Sequence, residues 1–456
     1  MIPLKTVVIR SFKKERYKKV FKGRKVNMKK IKIAILGFGN VGRGVWNILH
    51  TNKNEIMKRS GYEIEISKIL VKDKSKAREI VVSNDILTDN IEDIINDEDI
   101  KIVVELIGGF GEAKDYMLRA MKAKKHVVTA NKFVLANWGE ELFATAEEEE
   151  VMFYYEASVG GGIPVIREIN ESLTANKIEQ ITGIVNGTTN YILSKMSLEG
   201  MSFETALQEA QQKGYAEADP KADVEGYDVV YKLAIMASLA FGTKVHPDSI
   251  YREGINNVTS IDIEYAKKFG YVIKLLAIGK EENNQLELRV HPTLVPATHP
   301  IANVNDSFNA IFIKGNAVGD LMLYGRGAGE LPTGSAVVGD IISILRNNEN
   351  MAIDKPSKNY LGVKRIKNSE ENSSEFYIRL NVRDKRGVLG GIATIFGKNN
   401  VSIVSVTQNV QHEDFVSLVF TTHKSLEKDI NKAIEKIKES ENLNKVESIL
   451  RIENFN

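Results

Sequence analysis

Apolar positions along the chain follow two rhythms. Over the first third, short apolar runs rich in β-branched residues alternate with stretches whose apolar positions recur every three or four residues. The runs Ile31–Leu36, Glu63–Val71, Ile102–Ile107, His126–Thr129 and Val151–Glu156 read as strands, and Ala113–Ala123 as a helix between two of them. This alternation predicts a parallel, doubly wound α/β sheet. Residues 160–320 change character. Longer helices, Phe203–Lys213 and Asp228–Ala240, are interspersed with strands such as Gln285–His291 and Ala310–Lys314, which reads as an α+β unit. Gly325–Leu345 then reads as a glycine-rich turn leading into a helix that packs back on the first unit. Residues 347–375 are rich in Asn, Ser, Glu and Lys, a connector by composition. Beyond it come strand Phe376–Val382, helix Val388–Lys398, strands Ser402–Gln408 and Val416–Thr421, helix Leu426–Ser440 and strand Val446–Ile452. The order β-α-β-β-α-β is the split βαβ, or ferredoxin-like, arrangement.

The expected division is therefore a leader over residues 1–27, a first domain over 28–159 with a return segment 322–350, a second over 160–321, a linker over 351–375 and a last domain over 376–456. The chain has 456 residues and 43% hydrophobic composition, enough for several cores. It has no cysteine, which removes disulfides, zinc–thiolate sites and cysteine nucleophiles. No apolar run reaches the roughly 18–20 residues that span a bilayer, so no membrane helix is expected. The net charge of +2 conceals an asymmetry: the first 27 residues carry ten Lys/Arg and one acid, Glu15, leaving 52 basic and 59 acidic residues in the body. A mildly acidic body gives no reason to expect nucleic-acid binding. The basic leader is read as a flexible extension ahead of Met28, with a targeting presequence or a nucleic-acid or membrane tail as the alternatives.

Charge and composition do not name a chemistry; the loops do. Strand Ile31–Leu36 runs straight into Gly37-Phe38-Gly39-Asn40-Val41-Gly42 and then a helical stretch. Gly37 permits the tight turn, Gly39 lets backbone approach a pyrophosphate, and Gly42 lets helix and strand pack closely. The helix N-terminus would receive the pyrophosphate. The reading is a Rossmann-type dinucleotide site, against a plain strand–helix turn. After the second strand, Asp73 suits the ribose 2′-hydroxyl of NAD, whereas Lys72, Lys74, Lys76 or Arg78 suits the 2′-phosphate of NADP, and a solvated turn explains the same charges.

Three further stretches point to chemistry. Val128-Thr129-Ala130-Asn131-Lys132 ends a predicted strand, where doubly wound sheets bind ligands. Glu156-Ala157-Ser158-Val159-Gly160-Gly161-Gly162-Ile163-Pro164 exposes carbonyls that could hold a hard cation with the Glu156 carboxylate, or serves as a hinge between two domains. Gly214–Lys232 gathers Glu217, Asp219, Asp223, Glu225 and Asp228 ahead of Lys232. Asp228 and Lys232 share a helix face at i,i+4. A positioned lysine can take an alcohol proton in one direction and protonate a carbonyl oxygen in the other, and surplus acids could hold the ammonium of an amino acid. A solvated acidic loop followed by an ordinary helical ion pair is the bland alternative.

The run Ala210-x-x-x-Gly214-Tyr215-Ala216-x-x-Asp219-Pro220-x-x-Asp223-Val224-x-Gly226-x-Asp228-x-x-x-Lys232 resembles the homoserine dehydrogenase signature, with every defining position filled. Asn186-Gly187-Thr188-Thr189-Asn190, Thr129–Lys132, Glu156–Pro164 and Gly327-Ala328-Gly329-Glu330-Leu331-Pro332-Thr333 resemble the same family, in its order, over residues 30–345. The resemblance implies NAD(P)-dependent interconversion of L-homoserine and L-aspartate 4-semialdehyde, in threonine and methionine biosynthesis, by a cytoplasmic homodimer or homotetramer. It implies that Lys232 gives and takes the proton, that Lys132 lies near nicotinamide and substrate, and that Gly329 joins the cofactor contacts. Glu217 and Asp223 would bind homoserine, with Asp228 supporting Lys232. Glu156 and the carbonyls of Val159, Gly161 and Ile163 would hold a sodium ion. The leader has no counterpart in the family core.

Val382-Arg383-Asp384-Lys385-Arg386-Gly387-Val388-Leu389 resembles the opening of an ACT domain. Such modules bind small amino acids at a helix N-terminus, here through Asp384 and the amides of Gly387, Val388 and Leu389. The resemblance suggests threonine as a feedback inhibitor; a module that only assembles oligomers is the alternative. Two rival functions remain: a non-enzymatic nucleotide and amino-acid sensor, which should lack Lys232 or the acids, and a dehydrogenase of another amino-acid aldehyde.

Overall fold

A computed structural model describes residues 29–350, 362–410 and 414–455. The leader and residues 351–361 of the expected connector lie outside these. The first sheet is built from β1 (Lys29–Leu36), β2 (Tyr62–Leu70), β3 (Leu87–Thr88), β4 (Ile100–Glu105), β5 (His126–Thr129) and β6 (Phe153–Tyr154). Its order is β3-β2-β1-β4-β5-β6 and every pairing is parallel. The order reverses beside β1, so the switch point of the sheet lies where the glycine loop leaves β1. Helices α1 (Asn40–Thr51), α2 (Gly111–Lys122) and α3 (Lys132–Glu148) flank it.

The second sheet is larger and mixed. Its strands are β7 (Ile178–Ile184), β8 (Tyr251–Arg252), β9 (Tyr271–Glu282), β10 (Gln285–Pro296), β11 (Phe308–Gly315), β12 (Gly319–Arg326), β13 (Arg365–Ile366), β14 (Ser373–Arg383), β15 (Ile403–Val410), β16 (Phe415–Thr422), β17 (Ser425–Leu426) and β18 (Leu443–Ile452). The order is β12-β11-β7-β9-β10-β18-β14-β16-β15, so the second and C-terminal units share one sheet. Within the C-terminal unit the order β18-β14-β16-β15, with α8 (Val388–Lys398) and α9 (Glu427–Lys438), gives the expected ferredoxin-like arrangement. The join is at β10. One edge of β10 pairs with β9; the other is tiled by three short parallel partners, β13 at Gln285–Leu286, β8 at Arg289–Val290 and β18 at Thr293–Leu294.

The polar stretch read as a connector is therefore not all connector. Arg365–Ile366 pairs with β10, and β14 begins at Ser373. The return segment is also shorter than expected. Residues 322–326 stay in β12 of the mixed sheet, and the helix that crosses back, α7, spans Glu330–Asn350. Its Val337, Val338, Ile341, Ile344 and Leu345 join Ile33, Ile35 and Val45 in the core of the first domain. Burial of this apolar stripe is the physical reason for its return. The periodicity did not announce β7 or β9, because Ile273–Gly279 is buried without alternation and reads as either strand or helix. Among the described residues no helix is long and apolar enough to cross a membrane.

Candidate active site

Three helix starts converge where the two sheets meet. The first is α3. Asn131 caps it, its Oδ1 accepting the Val134 amide at 3.1 Å while its Nδ2 donates to the Gly109 carbonyl at 2.9 Å. The Asn131 amide donates to Thr129 Oγ1 at 3.0 Å, and Thr129 donates to Glu105 Oε2 at 2.6 Å. Glu105 also accepts the Ile107 amide at 2.8 Å. Burial raises the Glu105 carboxyl above its usual range against these bonds. This network ties the carboxyl ends of β4 and β5 together and sets Lys132 at the first turn of α3. Glu105 was missed by sequence reasoning; an acid ending a buried parallel strand before two glycines is the signal that could have found it.

The second start is that of α4 (Gly187–Glu199). Asn186 caps it by accepting the Thr189 amide at 2.9 Å, and its Nδ2 donates to Asp223 Oδ1 at 2.7 Å and Asp228 Oδ2 at 2.8 Å. The third is α5 (Tyr227–Phe241), which begins after Gly226 at φ +83°. This helix buries Val229, Val230, Leu233, Ala234, Ile235, Met236 and Ala237, so it enters the core nearly all round. That is how Asp228 and Lys232 come to be buried.

Asp228 carries two lysines. Lys232 Nζ donates to its Oδ2 at 2.7 Å and to the Val185 carbonyl at 2.7 Å, while Lys132 Nζ lies 2.9 Å from its Oδ1. The Lys232 side chain is 10% exposed and that of Lys132 41%. The two ammonium groups move in opposite directions. Asp228 raises Lys132 above the ordinary lysine value. Burial, reinforced by Lys132, lowers Lys232 despite Asp228. Burial would lift the Asp228 carboxyl, but Lys232 and Lys132 together hold it well below the carboxylate range. Burial raises Asp223, with the Asn186 bond opposing. Glu217 is exposed on the loop, with no bond into this cluster. Nothing the sensor reading required to be missing is missing: Lys132, Asp223, Asp228 and Lys232 stand together, with Asn186 as their unforeseen hub.

The glycine loop fits a dinucleotide. A Cβ on Gly37, at φ +97°, would come within 2.7 Å of the Leu106 carbonyl oxygen, and one on Gly42 within 2.4 Å of the Gly37 oxygen. A Cβ on Gly39 meets nothing within 4 Å, and no side chain caps α1 at Gly39. The open amides of Asn40, Val41 and their neighbours suit a pyrophosphate. The loop carrying Gly329 (φ +124°) lies close by: a Cβ on Gly44 of α1 would come within 2.0 Å of the Glu330 carbonyl oxygen. Gly161 crosses Gly327 with a similarly close approach of 2.5 Å. In the turn after β2, Asp73 Oδ1 accepts the Ser75 amide and hydroxyl at 2.8 and 2.6 Å, and Arg78 donates to the carbonyls of Asp73, Lys74 and Lys76.

The cation expectation fits only in part. Glu156 Oε1 and Oε2 accept the amides of Ile166 and Arg167, each at 2.8 Å, so the carboxylate caps the following helical turn. The Glu156 amide donates to buried Asp340 at 2.9 Å. One amide on each Glu156 oxygen leaves each with further acceptor capacity, so these bonds do not exclude the carboxylate as a partner of main-chain carbonyls in the Val159–Ile163 turn. Among the described residues no three His, Asp or Glu form a metal cluster. In the C-terminal unit, Gly387 (φ +87°) opens α8 with no side-chain cap, Asp384 and Leu389 are exposed beside it, and Val388 donates its amide to Lys385.

The sequence matches the family model of the homoserine dehydrogenase NAD-binding domain over residues 37–156, that of homoserine dehydrogenase over 164–342, and the ACT domain over 376–442. A homoserine dehydrogenase of Bacillus subtilis (strain 168) is 38% identical over 431 residues, covering 93% of this chain and 99% of its own. A crystal structure of a homoserine dehydrogenase from Thiobacillus denitrificans superposes with a TM-score of 0.89 at 41% identity, covering 94% of this chain and 99% of that one. A hyperthermophilic archaeal homoserine dehydrogenase mutant in complex with NADPH superposes at 0.58 with 27% identity, covering 69% and 97%.

Proposed function

The chain belongs to the homoserine dehydrogenase family of NAD(P)-dependent oxidoreductases, and from that premise we propose how its residues divide the work. The cofactor, when bound, supplies the hydride chemistry at its nicotinamide. The protein supplies the proton and the position. Lys232 moves the proton at the alcohol oxygen of homoserine or the aldehyde oxygen of aspartate 4-semialdehyde. One observation carries this assignment: two lysines share Asp228, and only Lys232 is shifted downward, toward the range where an amine exchanges protons. Lys132, held charged by Asp228, steadies the developing oxygen charge near the nicotinamide. Glu217 and Asp223 receive the substrate ammonium. Gly37, Phe38, Gly39, Asn40, Val41, Gly42 and Gly329 hold the dinucleotide. Measuring homoserine oxidation through absorbance of the reduced cofactor, with NAD and NADP in parallel, tests the reading. Near-normal turnover of Lys232→Ala with unchanged pH dependence would remove the proton role.

The finer proposals follow the same family logic. Residues 28–159 bind the dinucleotide with the help of α7, residues 160–321 carry the chemistry and the contact to a second copy, and residues 376–456 regulate. The assembly is a cytoplasmic homodimer or homotetramer serving threonine and methionine synthesis. Threonine binds at Asp384 and the start of α8, and lowers activity. Glu156 and the carbonyls of Val159, Gly161 and Ile163 would hold a sodium ion that stiffens the turn. NADP is the preferred cofactor to test first, since the archaeal relative is described in complex with NADPH. Competition between the two cofactors and an activity series in threonine read these directly.

A further inference from the structure

The middle tile on the β10 edge, β8, touches both the reacting helix and the C-terminal unit. On one side it lies under the start of α5. Arg252 donates to the Glu225 carbonyl, and its guanidinium stacks 3.7 Å from the centre of the Tyr227 ring, one residue before Asp228. A Cβ on Gly254 would come within 2.3 Å of the Val224 carbonyl oxygen, and Ile255 donates its amide to that oxygen at 2.8 Å. Gly226, which opens α5, would bring a Cβ to 3.5 Å from Arg252 Cγ. Residues 252–255 therefore hold Val224–Tyr227, which lead into α5, by an arginine stack, hydrogen bonds to two main-chain carbonyls and a close backbone approach.

On the other side the same segment is gripped by β18. Arg451 donates to Glu253 Oε1 at 2.6 Å and to the Tyr251 hydroxyl at 3.0 Å. It also pairs with Glu427 of α9. Its side chain is 5% exposed. Burial alone would disfavour this guanidinium, and the carboxylates of Glu253 and Glu427 outweigh it. One carboxylate comes from each unit. A buried cation held this way cannot release one partner without leaving a charge exposed to an apolar surround. The guanidinium thereby ties Glu253 to the C-terminal unit.

We propose that Tyr251–Gly254 is a brace that fixes the start of α5, and that Arg252 and Arg451 are positioning residues through which the C-terminal unit sets the placement of Asp228 and Lys232. The proposal rests on the reading of Asp228 and Lys232 as the reacting pair. It assigns no contact with substrate to either arginine; both act through α5.

The test uses the full chain. Arg252→Met, Arg451→Met, the double variant, Arg451→Lys and the control Arg379→Met are compared for homoserine kcat/KM, cofactor affinity by NADPH fluorescence, and thermal unfolding. Arg379 makes another buried pair at the junction, with Asp262 of α6 (Ser260–Lys268), and has no hydrogen bond or ion pair to the brace. Each brace variant is expected to lower kcat/KM for homoserine about tenfold, since small displacements of a reacting group are costly. Cofactor affinity stays within about twofold. The double variant is no worse than the poorer single one, because both break one path. Arg451→Lys recovers part of the loss. Unchanged homoserine kinetics, additive losses, or an equal loss in Arg379→Met would overturn the proposal. If Arg451→Met does not fold, Glu253→Gln at a 33% exposed side chain reads the same link. Full activity of Lys232→Ala would refute the proton assignment alone; the non-additivity of the two arginines is measured independently of it.

Discussion

Two of the buried groups of charges among the described residues are built differently. At the junction of the catalytic and C-terminal units, charges are matched. Arg379 pairs with Asp262 at 2.8 Å, Arg451 lies between Glu253 and Glu427, and Lys280 and Arg289 converge on Glu453, with Glu287 a further partner of Arg289 at 2.7 Å. In the active site two ammonium groups share one ionised carboxylate, and the second acid, Asp223, is pushed toward its neutral form by burial. Matched charges lock; an unmatched pair leaves one member ready to change protonation. The physics of desolvation is common to both, and the count of partners decides whether the result is a fastening or a reacting group.

The sharpest way to break this contrast is at Lys232. Lys232→Met should lower kcat about 10²- to 10⁴-fold, the usual worth of a positioned acid–base group, while NADPH still binds. Steady-state kinetics and a fluorescence titration check both halves. The opposite signature is expected at the junction: Asp262→Asn leaves Arg379 buried without its partner and should cost about 3–5 kcal/mol of stability in denaturant unfolding, with homoserine turnover preserved. Gly39→Asp comes next. The position has space, so the fold should persist, but a carboxylate at the anion site should raise the cofactor KM about tenfold or more.

The smallest effect tests the sharing itself. On the proposed proton role, homoserine oxidation needs neutral Lys232, so its rate is expected to rise as pH passes upward through the lowered Lys232 pKa. Lys132 is one cause of that lowering. Removing its charge in Lys132→Gln should raise the Lys232 pKa and move this limb to higher pH by about one unit, read from the kcat profile of the residual activity. An unmoved limb would mean that the titrating group is not Lys232.

The contrast also marks what the sequence could say. Asp228 and Lys232 were legible because i,i+4 spacing on a helix is a local fact, and the glycine loop because its context of strand and helix is local too. The alternating first third marked five of the six strands of its sheet to within a residue or two, as at His126–Thr129, and left out the two-residue β3. Asn186 was visible only as part of a motif. Its role depends on Asp223 and Asp228, some forty residues away in the chain. Lys132 meets Asp228 only because two sheets come together. Glu156 shows the limit from the other side: its carboxylate was assigned to a cation, and the two amides of the next turn that it also accepts were not legible in the sequence. Long-range pairing, whether Arg365 on β10 or Arg451 on Glu253, leaves no periodic trace.

The tiled edge of β10 bears on how the chain can be engineered. Cutting before β14 to obtain an unregulated enzyme would strip β18 from that edge and expose unpaired backbone groups of the kind that recruit foreign strands. It would also leave Glu253 and Asp262 without the arginines that neutralise them. For this chain, insensitivity to an effector is better sought by point substitution at the outer end of α8, where Asp384 and Leu389 face solvent, than by truncation. By construction the C-terminal unit is a load-sharing wall of the mixed sheet.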